Sequence, residues 1–224
     1  MPPPTPTTTK KIAESSTGTR QRLIDAAIEE FAVAGFEGAT VRDICARAEA
    51  SINAINYHFG DKQQLYVEAV TTAHRSIRGV MGREPTPPTA ADLQHAPQQH
   101  LQRFIARMVT MAMAVERRSD FNHQLLFREI AKPTGALEPI VREFIRPHFE
   151  QLMEILTVLS PAGVERIELR LLALSVIGQC LHYKFAAPIL PLLLTKTEQR
   201  QLTETRVAEH ICRVTLASLP TART

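Results

Sequence analysis

The sequence predicts an all-α protein, an N-terminal three-helix helix-turn-helix domain followed by a larger C-terminal helical domain. The 224 residues include nine glycines and no tryptophan, alternating β-branched runs are scarce, and Ala, Leu, Glu, Arg and Gln are frequent. Apolar residues recur at helical spacing from Thr19 almost to the end of the chain. Two short helical segments near the start are joined by a three-residue turn, which is a helix-turn-helix layout.

The elements follow in order. Residues 1–18, beginning MPPPTPTTTKK, have the composition of a disordered tail and lack the apolar core of a secretory signal. Leu23, Ile24, Ala27, Ile28, Phe31 and Ala32 form the stripe of a first helix, and Gly35 is a natural stop. Thr40 caps a short helix, Val41 to Ala48, with Val41, Ile44, Cys45 and Ala48 on its apolar side. After Glu49–Ser51 comes a second short helix ending near Phe59, with Ile52, Ile55 and Phe59 on one side. Gly60-Asp61 reads as a turn and N-cap for a long helix from Lys62 to about Val80.

The segment GREPTPP breaks the helical pattern and marks a loop or linker at about 82–96. Beyond it, Leu101, Phe104, Ile105, Met108, Ala112 and Val115 form one stripe, and Phe121 to Ala131 a shorter element closed by Pro133. Leu137, Val141, Phe144, His148, Leu152, Ile155 and Leu159 form another stripe, with Pro147 an expected kink. Helices over Val164–Ala187 and Thr203–Leu219 complete the chain. The expected organisation is therefore a tail at 1–18, a head at 19–66, and a second helical domain at 67–219, for which regulation and dimerisation are the expected roles on the grounds given below.

Composition excludes several classes. Formal net charge is +3, so the whole-chain balance neither demands nor excludes nucleic acid. Cys45, Cys180 and Cys212 lie far apart without CxxC spacing and read as small, reduced, buried residues of a cytoplasmic protein. The apolar region from Leu169 to Leu194 is interrupted by Arg170, Gln179, His182 and Lys184, so no membrane span is expected. There is no nucleophile elbow, phosphate-binding glycine loop or paired-carboxylate motif, so no enzyme and no cofactor is expected. His123, His148 and His182 lack HxxxH-type spacing, so no metal site is expected either.

The informative stretch is ASINAINYHFGDKQQL, Ala50 to Leu65. With Ile52, Ile55 and Phe59 directed inward, Asn53, Asn56 and Tyr57 project elsewhere. In a helix-turn-helix the second helix offers such a face to the major groove. Asn bonds bidentately to adenine, while Tyr, His and Ser hold phosphate oxygens. Thr40, Arg42 and Lys62 flank the segment where phosphates would run.

From Thr40 to Ala48 (T-V-R-D-I…A) and from Ser51 to Tyr66 (S…N-Y-H-F…K…L-Y), the order and spacing resemble the DNA-binding domain of TetR-family transcriptional regulators. That resemblance implies phosphate contacts by Thr40, Tyr57, His58 and Lys62, and a face toward the bases formed by Ser51, Asn53, Ala54 and Asn56. Phe127 to Leu152 is similar to the regulatory domain of the subgroup related to CecR. The resemblance implies double-stranded DNA, a palindromic operator, as partner.

One departure is Glu49, where the turn often carries Gly; a left-handed residue there costs on the order of 1 kcal/mol. From Arg20 to Arg75 six bases face eight acids, a net of −2, so DNA binding requires segregated bases.

For the C-terminal domain, Met108, Met111, Phe127, Phe144, His148, Gln179, His182 and Tyr183 fall on or beside apolar stripes and are candidates for binding a greasy small-molecule effector. The Val164–Ala187 helix is apolar nearly all round and needs covering on two faces. Leu174, Ile177, Leu181, Val207, Ile211, Val214 and Leu216 are the candidate homodimer surface. The alternative is a helical ligand-binding or adaptor protein whose head no longer binds DNA specifically.

Overall fold

The structure, a computed structural model, describes the backbone of residues 6–80, 88–114 and 121–220 and the side chains of 17–77, 88–113 and 121–220. Its elements are α1 (Pro6–Gly38), α2 (Val41–Arg47), α3 (Ile52–Phe59), α4 (Lys62–Val80), α5 (Ala90–His95), α6 (Pro97–Ala114), α7 (Phe121–Ala131), α8 (Leu137–Ile140), a π-helical turn (Val141–Ile145), α9 (Arg146–Leu159), α10 (Arg166–Ala186), α11 (Leu190–Leu193), α12 (Lys196–Gln201) and α13 (Glu204–Ala217). No strand occurs among the described residues, and the expected all-α fold holds.

Four differences from the sequence reading have local causes. Helix α1 starts at Pro6, before the apolar pattern, because a packed helix extends at one hydrogen bond per added residue. Residues 1–5 of the expected disordered tail lie outside the described residues.

Of the expected loop at about 82–96, residues 82–87 are likewise outside, but α5 occupies part of the remainder. A capping box builds it: the Thr89 hydroxyl accepts from Asp92 N at 3.2 Å, and the Asp92 carboxylate accepts from Thr89 N at 2.9 Å. A second capping box, Thr195 with Glu198, opens α12 after the short helix α11; the sequence reading assigned neither helix.

Finally, the 137–159 stripe is divided by the π-helical turn. Pro147 is the second residue of α9, directly after that turn, and supplies no N–H to the helical ladder there. Val115, assigned to the α6 stripe, lies outside the described residues.

Two compact units emerge, one within Met1–Arg83 and Asp120–Val141, the other within Glu84–Ser119 and Arg142–Thr224. They divide the chain elsewhere than at the expected 66/67 boundary: all of α4, together with α7 and α8, folds with the head. Leu65, Tyr66, Ala69, Val70, Ala73 and Ile77 form one buried face along α4, and that face needs more cover than α1 to α3 supply.

Helix α7 packs on α1 and α4 to provide it. Its Glu129, 0% exposed, accepts from Tyr66 Oη at 2.9 Å, from Thr134 N at 2.8 Å, and from the Thr134 hydroxyl. Burial, then the hydrogen bond to Glu129, raises the Tyr66 pKa far above the ordinary phenol value, so the hydroxyl remains a donor. Tyr66 also stacks edge-on against Phe31 and Phe36, at 4.8 and 5.1 Å between centroids.

In the second unit, residues of α5, α6, α9, α10 and α13 share one core that includes Leu101, Ile105, Leu152, Val176 and Ile211. All three cysteines are buried free thiols. Among the described residues no helix is long and apolar enough to cross a membrane.

Tyr66→Phe removes the hydroxyl but keeps the ring, leaving the buried Glu129 carboxylate short of a donor. The unfolding free energy is expected to fall by about 2 kcal/mol, read as an earlier denaturant midpoint. An unchanged midpoint would mean that Glu129 is satisfied without Tyr66.

Candidate nucleic-acid interface

The interface is aimed by the turn between α2 and α3. Ala50 N donates to Cys45 O at 3.0 Å and Glu49 N to Ala46 O at 3.3 Å, the two bonds of a Schellman motif. Such a motif needs a left-handed residue at its penultimate position, and Glu49 supplies it with φ of 50°. Arg22 Nε, reaching from α1, donates to Ala48 O at 3.1 Å and pins the end of α2. The Cys45 thiol contacts Ser51 O at 3.5 Å, so the entry to α3 is held as well.

Helix α3 then buries Ile55 and Phe59 and leaves Asn53, Asn56 and Tyr57 exposed, Tyr57 to 80%. Ser51 occupies the N-cap position, but its hydroxyl makes no capping bond and stays at the surface. Ala54 and His58 are half-buried, with the His58 ring edge-on to Tyr57 at 4.9 Å. Ile52 corrects the sequence reading: assigned to the inner side, it is 50% exposed. The helices that cover Ile55 and Phe59 do not extend over the first turn of α3.

Thr40 caps α2, its hydroxyl accepting from Asp43 N at 3.1 Å, and Arg42 is exposed on the same first turn. Asp61 caps α4 by accepting from Gln64 N at 2.8 Å. Lys62 is half-buried with its ammonium 4.6 Å above the Phe36 ring.

Other bases of the head are engaged internally. Arg47 pairs with Glu29 at 2.8 Å and Glu30 at 2.7 Å, and the hydrogen bond to Glu30 leads in raising its pKa. Arg20 pairs with Glu68 at 3.0 Å and lies over the Phe59 ring. Of the head's bases, Arg42 and Lys62 therefore flank the α3 face, while Arg20, Arg22 and Arg47 hold the fold.

Residues 23–69 match the family described as bacterial regulatory proteins, tetR family. Residues 97–219 match the C-terminal domain of the HTH-type transcriptional dual regulator CecR, more than half of the chain. The chain belongs to the TetR family of transcriptional regulators, with a CecR-type C-terminal domain.

It is 27% identical over 164 residues to the probable acrEF/envCD operon repressor of Escherichia coli K12, covering 69% of this chain and 68% of that protein. Its fold is similar to that of HlyIIR, a hemolysin II transcriptional regulator, with a TM-score of 0.54, 21% identity, and coverage of 87% and 97% of the two chains. The multidrug binding protein EbrR, solved with imidazole, gives a TM-score of 0.52, 21% identity, and 92% coverage of both chains. Members of this family are DNA-binding regulators rather than enzymes.

The candidate effector residues of this TetR-family regulator fall in both units. Phe127 lies on α7 in the first unit, and the other seven lie in the second. Met108 and Tyr183 pack half-buried against the second unit's core; Met111 and Gln179 are half-buried, and His182 is exposed. Phe144 is buried, and its carbonyl lies 2.6 Å from His148 Nδ1.

The candidate dimer residues divide as well. Leu174 is 57% exposed, and Ile177, Leu181, Val214 and Leu216 are half-buried. Val207 and Ile211, at 2% and 1%, fill the unit's own core and are not available to a partner, because the inner stripe of α13 packs on α6.

Sequence reasoning missed the burial of Glu129 and Lys184. A charged group at the spacing of an apolar stripe, Leu125 to Glu129, was the signal for the first. Lys184 is half-buried on α10, and burial pulls its pKa down to about 8.

Glu49→Gly relieves the left-handed strain at the turn and is expected to raise stability by about 1 kcal/mol, with the melting temperature rising a few degrees. A lower melting temperature would show that the Glu49 side chain stabilises the turn by more than its φ costs.

Proposed function

We propose that the protein is a homodimeric repressor that binds a palindromic operator through α2 and α3 of two heads. It releases that operator when a small apolar or amphipathic molecule binds the C-terminal domain. The observation that carries the reading is the outer face of α3. Ser51, Asn53, Asn56 and Tyr57 are exposed, over an inner face closed by Ile55 and Phe59. Hydrogen-bonding groups held on a rigid helix and left unused by the fold suit base edges and phosphates. The similarity to an operon repressor supports repression as the sense of control.

Dimerisation rests on α10. Ile167, Leu171, Leu174 and Phe185 recur along one exposed stripe, and Gly178 between them faces open space. An apolar stripe of this length on a two-faced helix suits an isologous contact with a second copy. Two heads joined in that way would meet half-sites one helical turn, roughly 34–36 Å, apart. Coupling runs through α4, which leads directly from α3, and through α7, which Glu129 ties to Tyr66 on α4.

The test uses the full-length chain and a palindromic fragment upstream of its own gene. Binding is expected to weaken with salt. Asn56→Ala should cost about 1–3 kcal/mol on the matching sequence only. Lys62→Ala should weaken all sequences alike and reduce the salt slope by about one per head. Binding indifferent to both substitutions would favour the adaptor reading, which draws support from the arginines engaged inside the head.

Leu174→Asp is expected to yield a folded monomer that no longer binds the operator, measured by analytical ultracentrifugation. A variant that remains dimeric would remove α10 from the interface.

A further inference from the structure

Ile52 is left half exposed by the packing of the head. It is the first residue of α3 and is 50% exposed, while Ile55 and Phe59 on the following turns are 1% and 8% exposed. Residues three and four apart on a helix are surface neighbours, so Ile52, Asn53 and Asn56 form one continuous patch. The N-terminal residues of a recognition helix are those that reach base edges. A β-branched aliphatic side chain beside two carboxamides at that end is therefore a contact surface of defined chemistry.

The same face lacks cations: Ile52–Phe59 contains neither Arg nor Lys. Guanine is most often read by a bidentate Arg or Lys on its O6 and N7. The nearby Arg47, Arg22 and Arg20 are held by Glu29 and Glu30, by Ala48 O, and by Glu68. Lys62 lies over Phe36, and Arg42 is on α2 beside the helix cap, suited to the DNA backbone. Carboxamides match adenine N6 and N7, and aliphatic groups match the thymine 5-methyl.

We propose that Ile52 is a specificity-determining residue that packs on a thymine methyl, with Asn53 and Asn56 bonding adenines. The major-groove core of each half-site under α3 then consists of A·T pairs. The inference rests on the DNA-binding reading above and names the sequence class that this face selects.

The experiment begins with selection of duplexes from a random pool by the full-length protein. Thymines of the recovered site are then replaced one at a time by deoxyuridine, which lacks only the methyl group. One position per half-site is expected to weaken wild-type binding about fourfold, the effect of losing one buried methyl-sized contact. Ile52→Ala should bind the thymine site more weakly by a similar factor and be indifferent to deoxyuridine there. Ile52→Val, which keeps the branched methyls, should retain the sensitivity.

Wild-type binding insensitive to deoxyuridine at every position, or a guanine-rich core under α3, would overturn the assignment while leaving the regulator reading intact. Failure to recover any sequence preference would overturn both.

Discussion

A carboxylate with no solvent exposure, Glu129, lies among the apolar side chains of the first unit, and the positions of its donors decide where α7 sits. A buried carboxylate without partners would cost several kcal/mol, so α7 is confined to the register in which Tyr66 and Thr134 both reach it. Once α7 is held there, α4 has a covered face along its length. The start of α4 fixes the end of α3 through the Gly60-Asp61 turn. Arg128, adjacent to Glu129, donates to Val33 O at 3.2 Å, beside Gly35 with its φ of 75°. A side chain at Gly35 would push that guanidinium aside and would be strained by the positive φ, so glycine suits the place where α7 meets the end of the α1 core.

Upstream of α3 the head relies on hydrogen-bond geometry more than on charge. The Schellman turn at Glu49 and the anchor from Arg22 to Ala48 set the angle of the reading helix. Several arginines are engaged in holding that angle, which leaves few cations beside the DNA face. Under the proposed DNA-binding reading, a head built in this way would rely on base-edge and close backbone contacts for much of its selectivity. The outer face of α3, carboxamides and one isoleucine, has the matching chemistry.

The second unit meets a different constraint. Helix α10 buries Leu169, Ala173, Val176 and Cys180 against its neighbours, while Leu171, Leu174 and Phe185 stay exposed on the other side. Helix α13 is amphipathic in the ordinary sense, with Val207 and Ile211 inside. The two helices are thus not equivalent: α10 keeps an exposed apolar stripe, and α13 chiefly closes the core.

The sequence by itself determined the helical class, the order and approximate limits of the main helices, the helix-turn-helix, and the polar face of α3. Those features depend on periodicity, caps and short turns, which act between residues a few positions apart. It also marked Glu49, because a left-handed turn position has a local signature. Only the tertiary structure decided that α7 folds with the head, that Val207 and Ile211 are interior, and that Ile52 is exposed. Each depends on which distant element covers a given face, and a helical stripe records that a face is apolar without recording what covers it. Glu129 joins residues 63 positions apart through its bond to Tyr66, a pairing that helical periodicity does not encode.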